Sequence, residues 1–190
     1  MLLNCTQIAD LLEDGVIENG SYDCINPASL DLRLGPIIQV ETANFPSEGF
    51  MPQVVSLAKR ESLHFTKVDL NNCPNKSFIL RPGQFILAHT QEIFHLPNDI
   101  SGEYKLKSSM ARMGLEHLKA GWADAGFNNS VLTLEFRNLT TYHDIEIKLG
   151  DKIGQMVFFR HQPVPLEKSY ATRGSYNGDK SAQPTKPEKV

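Results

Sequence analysis

The sequence offers little sulfur chemistry. Its three cysteines, Cys5, Cys24 and Cys73, are far apart, odd in number and free of any C-x-x-C pair. This argues against a disulfide framework or a structural zinc site and makes a reducing cytoplasm the simplest setting. Long apolar runs are missing too. No segment approaches the length of a membrane span, and the N-terminus lacks the basic region and apolar stretch of a signal peptide. Charge is nearly balanced, 19 Lys and Arg against 22 Asp and Glu for a formal net charge of -3. No global attraction to nucleic acid or to an anionic membrane is therefore expected, although local clusters leave a small anionic ligand open.

Several catalytic signatures are absent as well. Zinc-dependent deaminases pair H-x-E with P-C-x-x-C, so that His and two Cys hold the metal while Glu moves protons. Neither element occurs here, and the six histidines (His64, His89, His95, His117, His143 and His161) show no H-x-x-x-H spacing. Nor is there a G-x-x-x-x-G-K-[ST] loop or a G-x-S-x-G elbow.

What is present suits one soluble domain with an ordered extension: 190 residues, 41% hydrophobic and 22% charged. The opening segment predicts a short amphipathic helix, with Thr6 as N-cap, Ile8, Leu11 and Leu12 as its apolar stripe and Gly15 as its stop. Beyond it the texture changes to short strands. Ser29–Leu34 and Glu146–Leu149 alternate at period two and predict half-buried strands. Phe78–Leu80, Phe85–Ala88, Val131–Leu134 and Met156–Phe159 are β-rich and bounded by turns such as Gly35-Pro36, Pro82-Gly83 and Gly150-Asp151. Many short strands at close spacing predict an all-β barrel or double-sheet jelly roll with a few short helices. Thr42–Pro52, with two prolines and a glycine, reads as an excursion from the sheet. The division expected is a β domain over 1–173 and a tail over 174–190. That tail is small, polar and proline-bearing, so it is either a frayed terminus or a flap that orders over a ligand.

Three local clusters carry possible chemistry. Lys107-Ser108-Ser109-Met110-Ala111-Arg112 sets two hydroxyls between two cations at an apparent helix start, either an oxyanion site or a capping serine beside surface cations. In Ala120-Gly121-Trp122-Ala123-Asp124-Ala125-Gly126-Phe127, glycines either side of Asp124 allow a tight turn and close ligand approach. Trp122 and Phe127 either wall a pocket or join the core, and Asp124 either accepts a sugar hydroxyl or fixes the turn. Glu135, in Leu132-Thr133-Leu134-Glu135-Phe136, falls on the face of Thr133 and opposite Leu134 and Phe136. Facing solvent it would be an ordinary carboxylate; facing a ligand pocket it would be suited to accept and return a proton.

Together and in this order, these clusters resemble the dCTP deaminase branch of the dUTPase superfamily. Asn26–Gly35 is similar to the family's Q-P-A-S-x-D-L-R-L-G strand, and Lys107–Arg112 to its G-[KR]-S-S-L-A-R motif with Leu106 in place of Gly. His117–Phe127 resembles H-x-T-A-G-W-I-D-A-G-F, Leu132–Glu135 resembles I-T-L-E, and Ile153–Met156 resembles I-G-Q-L. The resemblance implies a homotrimer of distorted jelly-roll subunits with active sites between neighbours. It implies zinc-independent hydrolytic deamination of dCTP at C4 to dUTP and ammonia, with Mg²⁺ carried by the triphosphate and no metal held by the protein itself.

In that scheme Glu135 takes a proton from the attacking water and delivers protons to N3 and ammonia, while Ser108 and Arg112 hold the water and orient Glu135. Lys107 and Ser109 match the phosphate-binding part. Ala120 matches the residue whose backbone meets the base, and Asp124 the one that binds the 3′-hydroxyl. Trp122 would wall the pocket, and Tyr170, Tyr176 and Lys180 fall on tail positions that meet substrate. The Ala120–Phe127 wording is closer to bifunctional members that go on to dUMP and pyrophosphate, with Asp124 aiding attack on phosphorus. A dUTPase alone, or a catalytically silent nucleotide-sensing trimer, are the other readings. Four departures stand out: an extra residue between Phe127 and Glu135, Lys119 in place of Thr, Ser175 in place of Lys, and Asp179 in place of Gln beside Lys180. An acid there opposes a triphosphate unless Mg²⁺ or Lys180 offsets it.

Overall fold

The first element is helix α1, Cys5–Glu13, in a computed structural model that describes residues 1–42 and 54–186. Its cap is Asn4 and not Thr6. The Asn4 side chain accepts from the Gln7 amide at 3.1 Å, and the Gln7 side chain accepts from the Asn4 amide at 3.2 Å. This reciprocal box satisfies two orphan amides at once, which a Thr6 cap would leave open. Ile8 and Leu11 are buried as the stripe predicts, and Gly15, at φ +70°, follows the last turn. The expected excursion beyond Thr42 lies outside the described residues.

In chain order the strands are β1 Ile17–Glu18, β2 Ile25–Asn26, β3 Ser29–Arg33, β4 Ile37–Glu41, β5 Phe65–Asp69, β6 Ser77–Leu80 and β7 Phe85–His95. They continue with β8 Ile100–Leu106, β9 Leu115–His117, β10 Trp122–Ala123, β11 Asn128–Asn138, β12 Ile145–Lys148 and β13 Lys152–Arg160. Among the described residues all pairings are antiparallel. One sheet runs β5-β4-β7-β11-β9, with β1 also on β7; a second runs β10-β8-β13-β3-β2; β12 and β6 form a ribbon. The expected all-β, distorted jelly-roll architecture is what the chain adopts, with two further short helices, α2 Ser108–Arg112 and α3 Tyr170–Arg173. None of the described helices is long and apolar enough to cross a membrane.

The two sheets share one apolar core. Ile38, Ile86, Phe94, Leu134 and Phe136 come from the first, and Leu30, Leu32, Met156 and Phe158 from the second. Fully burying a side chain of this size stabilises the fold by roughly 1.5–3 kcal/mol. β3 departs from the half-buried expectation, because Ser29 and Asp31 are buried as well. Asp31 tolerates burial because its carboxylate accepts from Lys107 Nζ at 2.6 Å and from Asn26 Nδ2 at 2.9 Å.

The ladder between β7 and β11 sets the site. Asn128 pairs with His95 and Ser130 with Phe94, so Asn129 is an unpaired extra residue, at φ +52°. This bulge takes up one extra residue on β11, and a second register shift follows between Val131 and Thr133, where β7 carries the extra residues. Farther on, Thr133 pairs with His89, Leu134 with Ala88, Glu135 with Leu87 and Phe136 with Ile86. Leu134 and Phe136 therefore enter the core, and Thr133 and Glu135 take the opposite face.

Candidate active site

Glu135 and Thr133 open into a pocket of about 440 Å³. Of the residues singled out in the sequence, Ala120, Trp122, Asp124, Glu135, Tyr170 and Tyr176 all line it. Leu63, Phe65, Phe85 and Leu87 supply an apolar wall that the sequence motifs do not mark. Asp124 does not cap the turn with its side chain. It accepts from Trp122 Nε1 at 2.8 Å, while the Trp122 ring stacks on Phe159 at 6.0 Å. Phe127 does both, buried in the core and lining the pocket, edge-on to Tyr170 at 5.5 Å. Burial raises the Tyr170 phenol above its ordinary range. Gly126, at φ +86°, is required: a Cβ there would overlap Ser169 Oγ, which holds Asn98 and starts α3.

Behind the pocket lies a buried group that the sequence did not single out. The Glu135 side chain retains 24% exposure, and its Oε2 approaches Nε2 of His117, 4% exposed, at 3.4 Å. The approach lies off the hydrogen-bond direction, so both atoms are buried without a hydrogen-bond partner. His117 Nδ1 accepts from the Lys119 amide at 3.2 Å. The imidazole packs against the Tyr104 ring at 4.5 Å and edge-on to Phe136 at 5.7 Å. Burial, reinforced by the Glu135 charge, holds the Tyr104 phenol far above its ordinary range. His117 opens the His117–Phe127 motif, the one sequence signal that pointed toward it.

Lys107, Ser108, Ser109, Arg112 and Lys180 do not join the described lining of this pocket. Lys107 is the N-cap of α2 but makes no side-chain cap bond, and its Nζ is held by Asp31. Ser108 is the first helical residue and so is not the capping serine. Ser108, Ser109 and Arg112 are exposed. Lys180 Nζ donates to Asn129 Oδ1 at 2.6 Å.

Residues 174–186 run back along β11. Gly178 N–H donates to Asn128 O at 3.3 Å and Val131 N–H to Asp179 O at 2.9 Å. Farther on, Gln183 N–H donates to Thr133 Oγ1 at 3.2 Å. Ala182 is fully buried, and Tyr176, Asp179, Gln183 and Thr185 line the pocket. The charge of Asp179 is met by Lys186, at 2.7 and 2.5 Å, and not by Lys180.

Comparison with known proteins agrees with this architecture. A family model described as dCTP deaminase-like matches residues 2–161. A protein of Nanoarchaeum equitans named dCTP deaminase, dUMP-forming, is 36% identical over 197 residues, covering 96% of this chain and 95% of its own. A protein of the same name from Acidothermus cellulolyticus is 35% identical over 198 residues, covering 98% and 95%. The crystal structure of 2′-deoxycytidine 5′-triphosphate deaminase from Agrobacterium tumefaciens superposes with a TM-score of 0.64 at 25% identity. That likeness covers 84% of this chain and 48% of the solved one, so this chain spans about half its length. The relatives' names give dUMP as product and do not support the leading expectation of dUTP. The chain belongs to the dCTP deaminase-like family of enzymes.

Proposed function

We propose that this chain converts dCTP to dUMP, ammonia and pyrophosphate in two hydrolytic steps at one site. In the first, water adds to C4 of cytosine, the C4–N4 bond breaks and ammonia leaves. Glu135 accepts the proton of the water and passes protons to N3 and to the leaving nitrogen. The observation that carries this reading is the placement of Glu135, half-buried at the end of a pocket it shares with Ala120, Trp122 and Asp124. In the second step water attacks phosphorus and pyrophosphate leaves, with Asp124 on the 3′-hydroxyl side. The relatives' names support dUMP as the end product.

The nucleotide arrives with Mg²⁺ on its phosphates, as substrate. Among the described residues lining the pocket there are three acids, Asp124, Glu135 and Asp179, and no Lys or Arg. A triphosphate therefore needs cations from outside the protomer's own pocket. Exposed Ser108, Ser109 and Arg112 on α2 are suited to act across an interface. Exposed Met113 caps this helix and exposed Leu139 bonds through its amide to Gly114 O, so apolar surface that a second copy would cover adjoins α2. The acid-only lining and the exposed α2 residues support a site shared between copies; the proposed assembly is a homotrimer acting on deoxycytidine and deoxyuridine nucleotides, with the cytoplasm as its proposed setting.

The test is incubation with dCTP, dCMP and dUTP after chelation of zinc and restoration of Mg²⁺. Equal amounts of ammonia, dUMP and pyrophosphate from dCTP are expected. Ammonia with accumulating dUTP would restrict the chain to deamination, and no ammonia from any cytosine nucleotide would overturn the reading.

A further inference from the structure

Two buried polar atoms face one another behind the pocket, and the chemistry given to Glu135 alone accounts for neither. His117 Nε2 and Glu135 Oε2 are 3.4 Å apart, and both lack a hydrogen-bond partner. The tautomer of the imidazole follows from its other nitrogen. Nδ1 accepts from the Lys119 amide, so in the neutral ring the proton sits on Nε2, the nitrogen nearer the carboxylate. Lys119 holds its amide in that direction with a left-handed backbone, φ +64°. The ring cannot swing away, because Tyr104 covers it at 4.5 Å and Phe136 meets it at 5.7 Å. The main chain is tied at the same place, where Leu118 N–H donates to Glu135 O at 3.2 Å.

A ring that only filled space would leave a buried N–H and a buried carboxylate oxygen unpaired, both costly. A small rotation of the Glu135 side chain pairs them, and catalytic hydrogen bonds commonly tighten in this way when substrate binds. We infer that His117 is the positioning residue of Glu135: its Nε2–H anchors Oε2 and leaves Oε1 as the oxygen that meets the substrate. Oε2 is buried, while the side chain as a whole keeps 24% exposure and lines the pocket. Through Nδ1 the arrangement also makes the Lys119 turn part of the support for the proton carrier. The inference rests on Glu135 being that carrier.

Two measurements on the full-length protein separate the two ideas. The first is imidazole ¹⁵N NMR, which needs no turnover. The His117 signal is expected to be the Nε2–H tautomer and to shift in Glu135→Ala. An Nδ1–H tautomer, or a signal indifferent to that substitution, overturns the inference whatever the enzyme does. The second is ammonia release from dCTP. His117→Phe keeps the aromatic packing and loses the donor, and is expected to lower kcat about 10- to 100-fold with KM little changed, the scale of a misplaced catalytic group. His117→Gln restores a donor and is expected to recover a substantial part. Unchanged kcat in His117→Phe, or no recovery in a folded His117→Gln that binds dCTP normally, overturns the positioning role. Wild-type protein that releases no ammonia while showing the Nε2–H tautomer coupled to Glu135 overturns the assigned reaction and leaves the pairing standing.

Discussion

Lys186 and Asp179 close the C-terminal tail on itself: Nζ lies 2.7 Å from Oδ1 and 2.5 Å from Oδ2, and 5.0 Å over the Tyr176 ring. Asp179 lines the pocket, so Lys186 neutralises a carboxylate that would oppose an anionic nucleotide. The pair is partly exposed, with side chains 30% and 16% accessible, and stabilises the fold by no more than about 1 kcal/mol. Its larger effect falls on binding. Lys186→Met is expected to raise the KM for dCTP about 3- to 10-fold, equivalent to roughly 1 kcal/mol, with kcat nearly constant. Adding Asp179→Asn should restore KM, as steady-state kinetics of the double variant will report.

Glu135→Gln keeps the shape of the pocket and removes the proton acceptor. Deamination should fall by at least the roughly 10²–10⁴-fold that a positioned acid–base contributes. Binding of dCTP, followed by calorimetry, should change little. Undiminished ammonia release would remove Glu135 from the mechanism.

How far the sequence reached is clear from particular residues. The alternation of Leu132 to Phe136 gave the two faces of β11, because a strand's side-chain period is local. It could not say which face met the pocket, since that depends on Leu87 opposite Glu135 and on a tail returning from residue 183. Asn4 and Gln7 stand three apart as a capping box requires, whereas Thr6, the expected cap, lies inside the first turn. His117 lay inside a recognised motif without a role, for its partners Tyr104, Glu135 and Phe136 meet it only across sheet pairings and ring packing. Lys107 looked like a free phosphate ligand. Its bond to Asp31 spans 76 residues and has no local signature.

Asn129 carries the first of two irregularities in the ladder between β7 and β11. At φ +52° it occupies a region that Asn tolerates and a β-branched residue does not. Asn129→Val is expected to cost about 1–3 kcal/mol. In a chain of this size that lowers the melting temperature by about 2–4 °C per kcal/mol. Asn129→Gly should stay close to wild type, losing mainly the contact with Lys180. Equal melting temperatures for the Val and Gly variants would mean that the backbone at 129 is not held as described.

Gly154 and Gly102 make a matched pair of tests. A Cβ at Gly154 would overlap the Tyr104 ring, whose hydroxyl donates to Ile153 O at 3.3 Å and whose face packs on His117. A Cβ at Gly102 would meet only the end of Met156, 3.0 Å from Cε and 3.1 Å from Sδ, which is flexible enough to yield. Gly154→Ala should destabilise by about 1–3 kcal/mol, the usual range for overpacking, and lower kcat as His117 shifts. Gly102→Ala should do less of both. Thermal melts with parallel ammonia assays will rank the two.

His89 gives the stability a pH dependence of known sign. The ring is buried, its Nδ1–H donates to Thr90 O at 2.8 Å, and its Nε2 accepts from the Ile37 amide at 3.2 Å. One proton satisfies both bonds, and burial lowers the pKa from the ordinary 6.5. The contribution of His89 is therefore complete above the unfolded pKa and is lost as pH falls through the folded value, because the unfolded chain takes up the proton first. Glu92 acts in the opposite sense. Burial raises its carboxyl despite Arg33 at 2.8 Å, so its contribution is present below its unfolded pKa and is lost as pH rises through the folded one. Wild-type stability alone mixes the two. The difference between wild type and His89→Gln, whose carboxamide can still accept from Ile37, isolates the first. That difference in unfolding free energy should shrink steadily from about pH 7.5 to about pH 5.5 in urea titrations. A difference that stays constant over this range would mean that the imidazole takes up its proton as readily in the folded protein as in the unfolded chain.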